Sequence, residues 1–140
     1  MRQLETLKAW NCAAQIARQA YSLTLKAPLK QHFGLADQIR RAAVSVPANI
    51  VEGYALGTTP QFIRFLKIAL GSAAELHTHL RIARDLRLCD SRGAEATIDE
   101  TNRTIRLLVG LIRKLQERLG QSRIPNPPSP QGVRARSSKR

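Results

Sequence analysis

From Phe62 to Ala83 the chain places an apolar or small residue at Phe62, Leu66, Ala69, Ala73, Leu76, Leu80 and Ala83, in strict steps of four and three. That spacing draws a stripe along one face of an α-helix, and such a stripe is buried only against other helices. Thr58 or Thr59 can cap the start, and Pro60 falls at the first helical position, where its missing N–H costs nothing. The same period recurs three more times. A first helix from about Leu4 to Ala27, closed by Pro28, carries Leu7, Trp10, Ala14, Ala17 and Tyr21. A second, from about Leu35 to Leu56 and closed by Gly57, carries Ile39, Ala43, Val46, Ile50 and Tyr54. A fourth, from about Arg92 to Leu119 with Gly120 as its C-cap, carries Ile98, Thr101, Ile105, Leu108, Ile112, Leu115 and Leu119. No segment alternates as a strand does. The connections are short, so neighbours should run antiparallel. The expected fold is all-α: an antiparallel up-down four-helix bundle over residues 1–120, with a disordered basic tail rich in Pro and Arg over 121–140.

The second helix holds an anomaly. Its stripe runs through RRAAVSVPANIVEGYALG without a change of phase, although Pro47 sits in the middle. An interior proline removes one hydrogen bond and crowds the carbonyl four residues back, a cost of roughly 3 kcal/mol. Unbroken phase favours one kinked helix; Ser45 capping a new helix is the alternative. Asn49 and Glu52 lie within a turn of Pro47 and are expected to satisfy exposed backbone groups or to anchor the bend to a neighbour.

Charge bounds the partners. Lys and Arg number 23 against 10 acids, a net charge of +13. Nucleic acid is the first polyanion to consider, an anionic membrane the second, and a merely basic protein the third reading. The candidate phosphate contacts are Arg40 and Arg41 on helix two, Arg64, Lys67, Arg81 and Arg84 on helix three, and Arg103, Arg106, Arg113 and Lys114 on helix four. Arg134, Arg136, Lys139 and Arg140 add four more in the tail, and Arg81 has a local partner in Asp85. Aromatic residues are only 4% of the chain, too few for a base-stacking platform, so binding should be electrostatic and salt-sensitive. No apolar run approaches a membrane span and no signal peptide is evident, which points to the cytoplasm.

Ile68, Ile82 and Leu86 lie off the stripe of helix three, and Leu107 and Leu111 off that of helix four. A second apolar face on a bundle helix commonly marks contact with another subunit; a wide core stripe is the plainer alternative. No catalytic constellation is legible. His77 and His79 diverge by two positions on a helix, Cys12 and Cys89 have no CxxC partner, and Glu75 with His79 reads as a solvated i, i+4 pair. Neither a cofactor nor a metal is expected, and the chain is not expected to be an enzyme.

DQIRRAAVSVPANIVEGYALG, followed by PQFIRFLKIALGSAAELHTHLRIARDL, closely resembles the bacterial four-helix bundle family first noticed as reading frames inside intervening sequences of 23S ribosomal RNA genes. The match runs from about Trp10 to Leu88; the fourth helix agrees only in character, and the Pro-rich tail is outside the family pattern. The resemblance implies a four-helix bundle, often assembled as a homopentameric ring. The family is similar in fold to the accessory variability determinant of diversity-generating retroelements, a basic pentamer that binds nucleic acid and associates with a reverse transcriptase. By that likeness the chain is expected to assist template-RNA-dependent cDNA synthesis. The alternative is a structural or protein-interaction role for an intervening-sequence protein. Ser45, Pro47, Asn49, Glu52 and Gly53, with the Gly71–Ser72 and Glu75–Leu76 stretches, match the family motif. Gly71 and Ser72 are expected to permit close helix approach, and Glu75 to pair with a basic residue or with a polar group of helix two.

Overall fold

The computed structural model describes residues 2–123 of the chain. Four α-helices follow one another: α1 (Arg2–Leu23), α2 (Phe33–Ala55), α3 (Thr59–Asp85) and α4 (Ser91–Arg123), with a 3₁₀ turn over Leu29–Gln31 between the first two. Each helix packs on the next, and α4 closes back onto α1. The result is the expected antiparallel up-down bundle, with no strand among the described residues. Lys114 of α4 meets Glu5 of α1, so the C-terminus of α4, the N-terminus of α1 and the α2–α3 turn share one end. At the other end the Leu29 N–H donates to the Leu88 carbonyl at 2.9 Å, tying the α1–α2 connection to the α3–α4 turn.

Helix boundaries follow from local competition for backbone groups. Thr58 in extended conformation caps α3, its Oγ1 accepting from the Gln61 N–H, and Pro60 sits in the first turn. Gly57, at φ +86°, makes the turn before it. α1 ends at Leu23, four residues short of the expected Ala27. Thr24 draws both its N–H and its Oγ1 back to the Tyr21 carbonyl, and its own carbonyl accepts from Arg40 instead of from a further helical N–H. α4 runs on through Gly120 to Arg123. The segment 124–140, which includes most of the expected tail, lies outside the described residues.

The stripe of α3 is buried as read, from Phe62 to Ala83. That of α4 holds at Ile98, Thr101, Leu108, Ile112 and Leu115. Buried Thr97, Thr101 and Thr104 turn their hydroxyls back onto the carbonyls of Gly93, Thr97 and Glu100, which leaves only their methyl groups to the core. α1 is rotated relative to expectation. Its inward face is Thr6, Ala9, Ala13, Ile16 and Ala20; of the expected stripe Ala14 is buried, Trp10 and Ala17 pack partly buried against the core, and Leu7 and Tyr21 are exposed. Two stripes with helical spacing run side by side on α1, and the smaller residues turn inward, where they let the helices approach. On α2, Tyr54 likewise yields its inward place to Gly53. A Cβ at Gly53 would stand 2.6 Å from Phe65 Cβ and 3.2 Å from Phe62 Cδ1, so this glycine sets the α2–α3 approach. Gly71, expected to permit such contact, faces open space.

α2 passes through Pro47 as a single helix. Around it Asn49 Nδ2 donates to the Ser45 carbonyl at 2.8 Å and to Ser45 Oγ at 2.9 Å. Ser45 Oγ lies 2.9 Å from Ser72 Oγ of α3. Asn49 thus serves the backbone and, through Ser45, links the proline turn to α3. Glu52 is exposed and stands apart from this network. Ser72, and not Glu75, reaches α2; Glu75 meets His79 on its own helix at 3.2 Å, on the surface.

Candidate nucleic-acid interface

The basic side chains divide into those that hold the bundle together and those that face water. Arg40 belongs to the first class. Its Nε donates to Thr24 Oγ1 at 2.8 Å, its Nη2 to the Thr24 carbonyl at 3.1 Å, and its guanidinium lies 5.2 Å from the centre of the Tyr21 ring. It latches α2 to the end of α1 and is not the free phosphate contact expected of it. Arg84 pairs with Asp85 at 3.1 Å, taking the acid that the sequence assigns to Arg81. Arg41 stands 3.6 Å from Asp37, a solvated i, i+4 pair that leaves it accessible.

Arg64, Lys67, Arg81, Arg103, Arg106 and Arg113 are exposed, and no ion pair holds them among the described residues. Arg64 and Lys67 line a shallow depression with Pro60, Ile63 and Ile68 on α3. The steps between Arg103, Arg106 and Arg113 place all three on the solvent side of α4. Arg106 also enters a cleft of about 220 Å³ between α1 and α4, lined by Glu5, Lys8, Leu107, Gly110, Leu111 and Lys114. Lys114 Nζ donates to Glu5 Oε1 at 2.7 Å. That hydrogen bond, aided by the charges of Lys114 and Arg118 against a smaller opposing effect of burial, holds the Glu5 carboxyl below its usual range. The cleft therefore gathers three cations around one carboxylate. Lys8 was not among the expected contacts; its position one turn after Glu5 is the signal that would have found it, once α1 is known to lie beside α4.

The expected subunit contacts also divide. Ile68, Ile82 and Leu86 are exposed on α3. Leu111 is buried in the core, and Leu107 is half-buried in the floor of the α1–α4 cleft, because α4 turns a broad apolar face toward α1. Arg134, Arg136, Lys139 and Arg140 lie outside the described residues. Cys12 is buried; Cys89 is half-buried, and burial and then the neighbouring Asp90 push its thiol up. Among the described residues no group of three or more His, Cys, Asp or Glu side chains is placed to hold a metal ion. None of the described helices is long and apolar enough to cross a membrane.

Set against known proteins, the chain matches a family model described as 23S rRNA-intervening sequence protein over residues 5–110. Among solved structures it is similar to a crystal structure from Bacteroides thetaiotaomicron VPI-5482, a protein with unknown function from the S23 ribosomal protein family. The TM-score is 0.71 at 22% identity, covering 78% of this chain and 98% of that one, a likeness of fold. A comparison with curated proteins finds no match.

Proposed function

This chain belongs to the 23S rRNA-intervening sequence protein family, and from that premise we propose that it is a cytoplasmic, non-enzymatic bundle that self-associates and holds RNA or DNA by backbone electrostatics. The observation that carries the reading is the set of exposed, unpaired cations on α3 and α4, joined by the three-cation cleft between α1 and α4. Each phosphate neutralised releases counterions, so affinity should fall steeply with salt. Self-association through the exposed Ile68, Ile82 and Leu86 ridge repeats a modest patch on every subunit and turns weak contacts into avidity. A homopentamer is the assembly that the family resemblance implies.

Retention of RNA and of DNA, measured from low to moderate salt, tests this. The expected result is a log–log slope that becomes shallower by about 1 for each phosphate-contacting cation removed. A slope near zero in the unaltered chain would show that the charge is incidental and that the bundle meets a protein partner instead. A narrower role follows from the likeness to the accessory variability determinant: assisting the reverse transcriptase of a diversity-generating retroelement in template-RNA-dependent cDNA synthesis. The net positive charge supports it. Adding the protein to a retroelement reverse transcriptase with its template RNA should raise cDNA yield. No increase, together with a gene lying inside a ribosomal RNA intervening sequence, would leave the structural or protein-interaction role.

A further inference from the structure

The ridge of Ile68, Ile82 and Leu86 needs an opposing surface, and the bundle carries one on another side. Leu7 and Trp10 of α1, with Ile50, Val51 and Tyr54 of α2, line an open groove of about 440 Å³ whose walls are nearly all hydrocarbon and aromatic ring. The apolar surface continues along α2. Phe33, Val44 and Val51 are separated by eleven and seven positions, close to three and two helical turns, so they share one side of the helix. All three are exposed, Phe33 by 79%. Arg18 lies three turns after Leu7 on the same flank of α1, Arg41 borders the strip on α2, and both are exposed. The strip is therefore apolar at its two ends and basic at mid-height.

Heights along the bundle follow from contacts between its helices. Ser45 meets Ser72 and Gly53 abuts Phe65, which sets the register of α2 against α3. On that scale Ile68 stands level with Ile50, in the groove wall, and Ile82 and Leu86 bracket the level of Phe33. Glu75, exposed between them on the same flank of α3, falls within a turn of the level of Arg41. Thr24 and Tyr21 meet Arg40, which puts Arg18 within a turn of that height as well. The ridge is apolar, acidic and apolar at the heights where the strip is apolar, basic and apolar.

We infer that the α3 ridge of one copy docks on the α1–α2 strip of the next, the two copies standing side by side and pointing the same way. Ile68 enters the Trp10–Tyr54 groove, Ile82 and Leu86 pack on Phe33, and Glu75 meets Arg18 and Arg41. The inference rests on the self-association proposed above and supplies its second face; it is independent of whether the chain binds nucleic acid. Like faces are poorly matched: ridge on ridge brings Glu75 near Glu75, and strip on strip crowds Arg18 and Arg41 of both copies. The contact is therefore head-to-tail. Equal heights leave no rise from copy to copy, and the two faces lie on neighbouring sides of the bundle about α2, so successive contacts turn and close into a ring.

Sedimentation velocity of the full chain, free of nucleic acid, tests this with two variants. Phe33→Glu/Val51→Glu blocks the strip and Ile68→Glu/Ile82→Glu blocks the ridge. All four side chains are exposed, and an unchanged far-ultraviolet circular dichroism spectrum checks that each bundle is intact. The unaltered chain is expected to sediment as an oligomer and each variant as a monomer. An equimolar mixture of the two variants keeps one intact ridge and one intact strip, so it should form a complex of twice the monomer mass that contains one copy of each. A mixture that stays monomeric while the unaltered chain assembles overturns the head-to-tail pairing. A strip variant that assembles like the unaltered chain overturns it too, since the ridge then meets another surface. A monomeric unaltered chain removes the self-association reading and this inference together, and leaves nucleic-acid binding to its own salt test.

Discussion

The two halves of the bundle fill a shared interior with different mixtures of side chains. In the α1–α2 half the inward faces mix alanines (Ala9, Ala13, Ala20, Ala42 and Ala43) with the β-branched Ile16, Ile39, Val46 and Ile50, while Leu7, Tyr21, Val44 and Val51 face out. In the α3–α4 half Phe62, Leu66, Leu76, Leu80, Leu108 and Leu115 are inside, and the outside is richer in charge, interrupted by Ile68, Ile82 and Leu86. From Thr58 to Gln121 the chain has eighteen Asp, Glu, Lys and Arg residues, against ten from Met1 to Gly57. The inward alanines of the first half let its helices sit close to the bulky second half, and the displaced large residues become surface. Both pairs fill the interior; the first adds alanines that allow a close fit, and the second carries the more charged exterior.

The sharpest way to break this comparison is to trim one leucine in each half. Leu66→Ala removes a fully buried side chain and should cost about 2–5 kcal/mol. Leu7→Ala, on the exposed stripe of α1, should cost less than about 1 kcal/mol in chemical denaturation of the same chain. Equal losses would mean that α1 is phased as its large residues suggest. Next in size is Gly53→Ala, which drives a methyl into Phe65 where the two halves meet. It should cost roughly 1–3 kcal/mol although alanine is the better helix former. Stabilisation by this change would show that the halves are not in close contact there.

The arginines sharpen the contrast further. Arg40→Ala opens the latch on Thr24 and should cost about 1–2 kcal/mol while leaving RNA retention unchanged. Arg103→Ala, Arg106→Ala and Arg113→Ala together should do the reverse: stability should stay within about 0.5 kcal/mol per site while retention falls. The smallest effect concerns Glu5, which joins the halves through Lys114. Its folded pKa is depressed, so its contribution is present above the ordinary carboxylate range and is lost as pH falls through the lower folded value. Glu5→Gln should flatten that acid-side slope of stability slightly and leave neutral pH almost unaffected.

How much the sequence disclosed follows the same division. α3 carries one stripe of mostly large residues, and every position of it is buried. α1 carries two stripes of equal spacing, one large and one small, and spacing alone cannot choose between them. The choice depends on how near the partner helix lies, which a tertiary contact at Gly53 helps to set. Arg40 was legible as a cation but not as a latch, because its partner Thr24 lies sixteen positions away across a turn. Lys8 was missed for a related reason: it becomes part of a basic cleft only when α4 closes onto α1. The polar residues beside Pro47 were read in part. Asn49 meets the backbone as expected, whereas the link to α3 is made by Ser45 and Ser72.

The alanine seam makes the tolerance of this core lopsided. A core of leucines is damaged chiefly by shrinkage, since each lost methylene leaves a void. Ala13, Ala20 and Ala43 are fully enclosed and have only one methyl to lose, whereas any larger residue there must push a whole helix aside. Drift at these three positions is therefore barred toward larger residues and costs about 1 kcal/mol toward glycine, which weakens the helix itself. Over time, substitutions should gather on the outward stripe and spare the small inward one, and the chain's history would be recorded most freely on the face that a reader of its hydrophobic residues first takes for the inside.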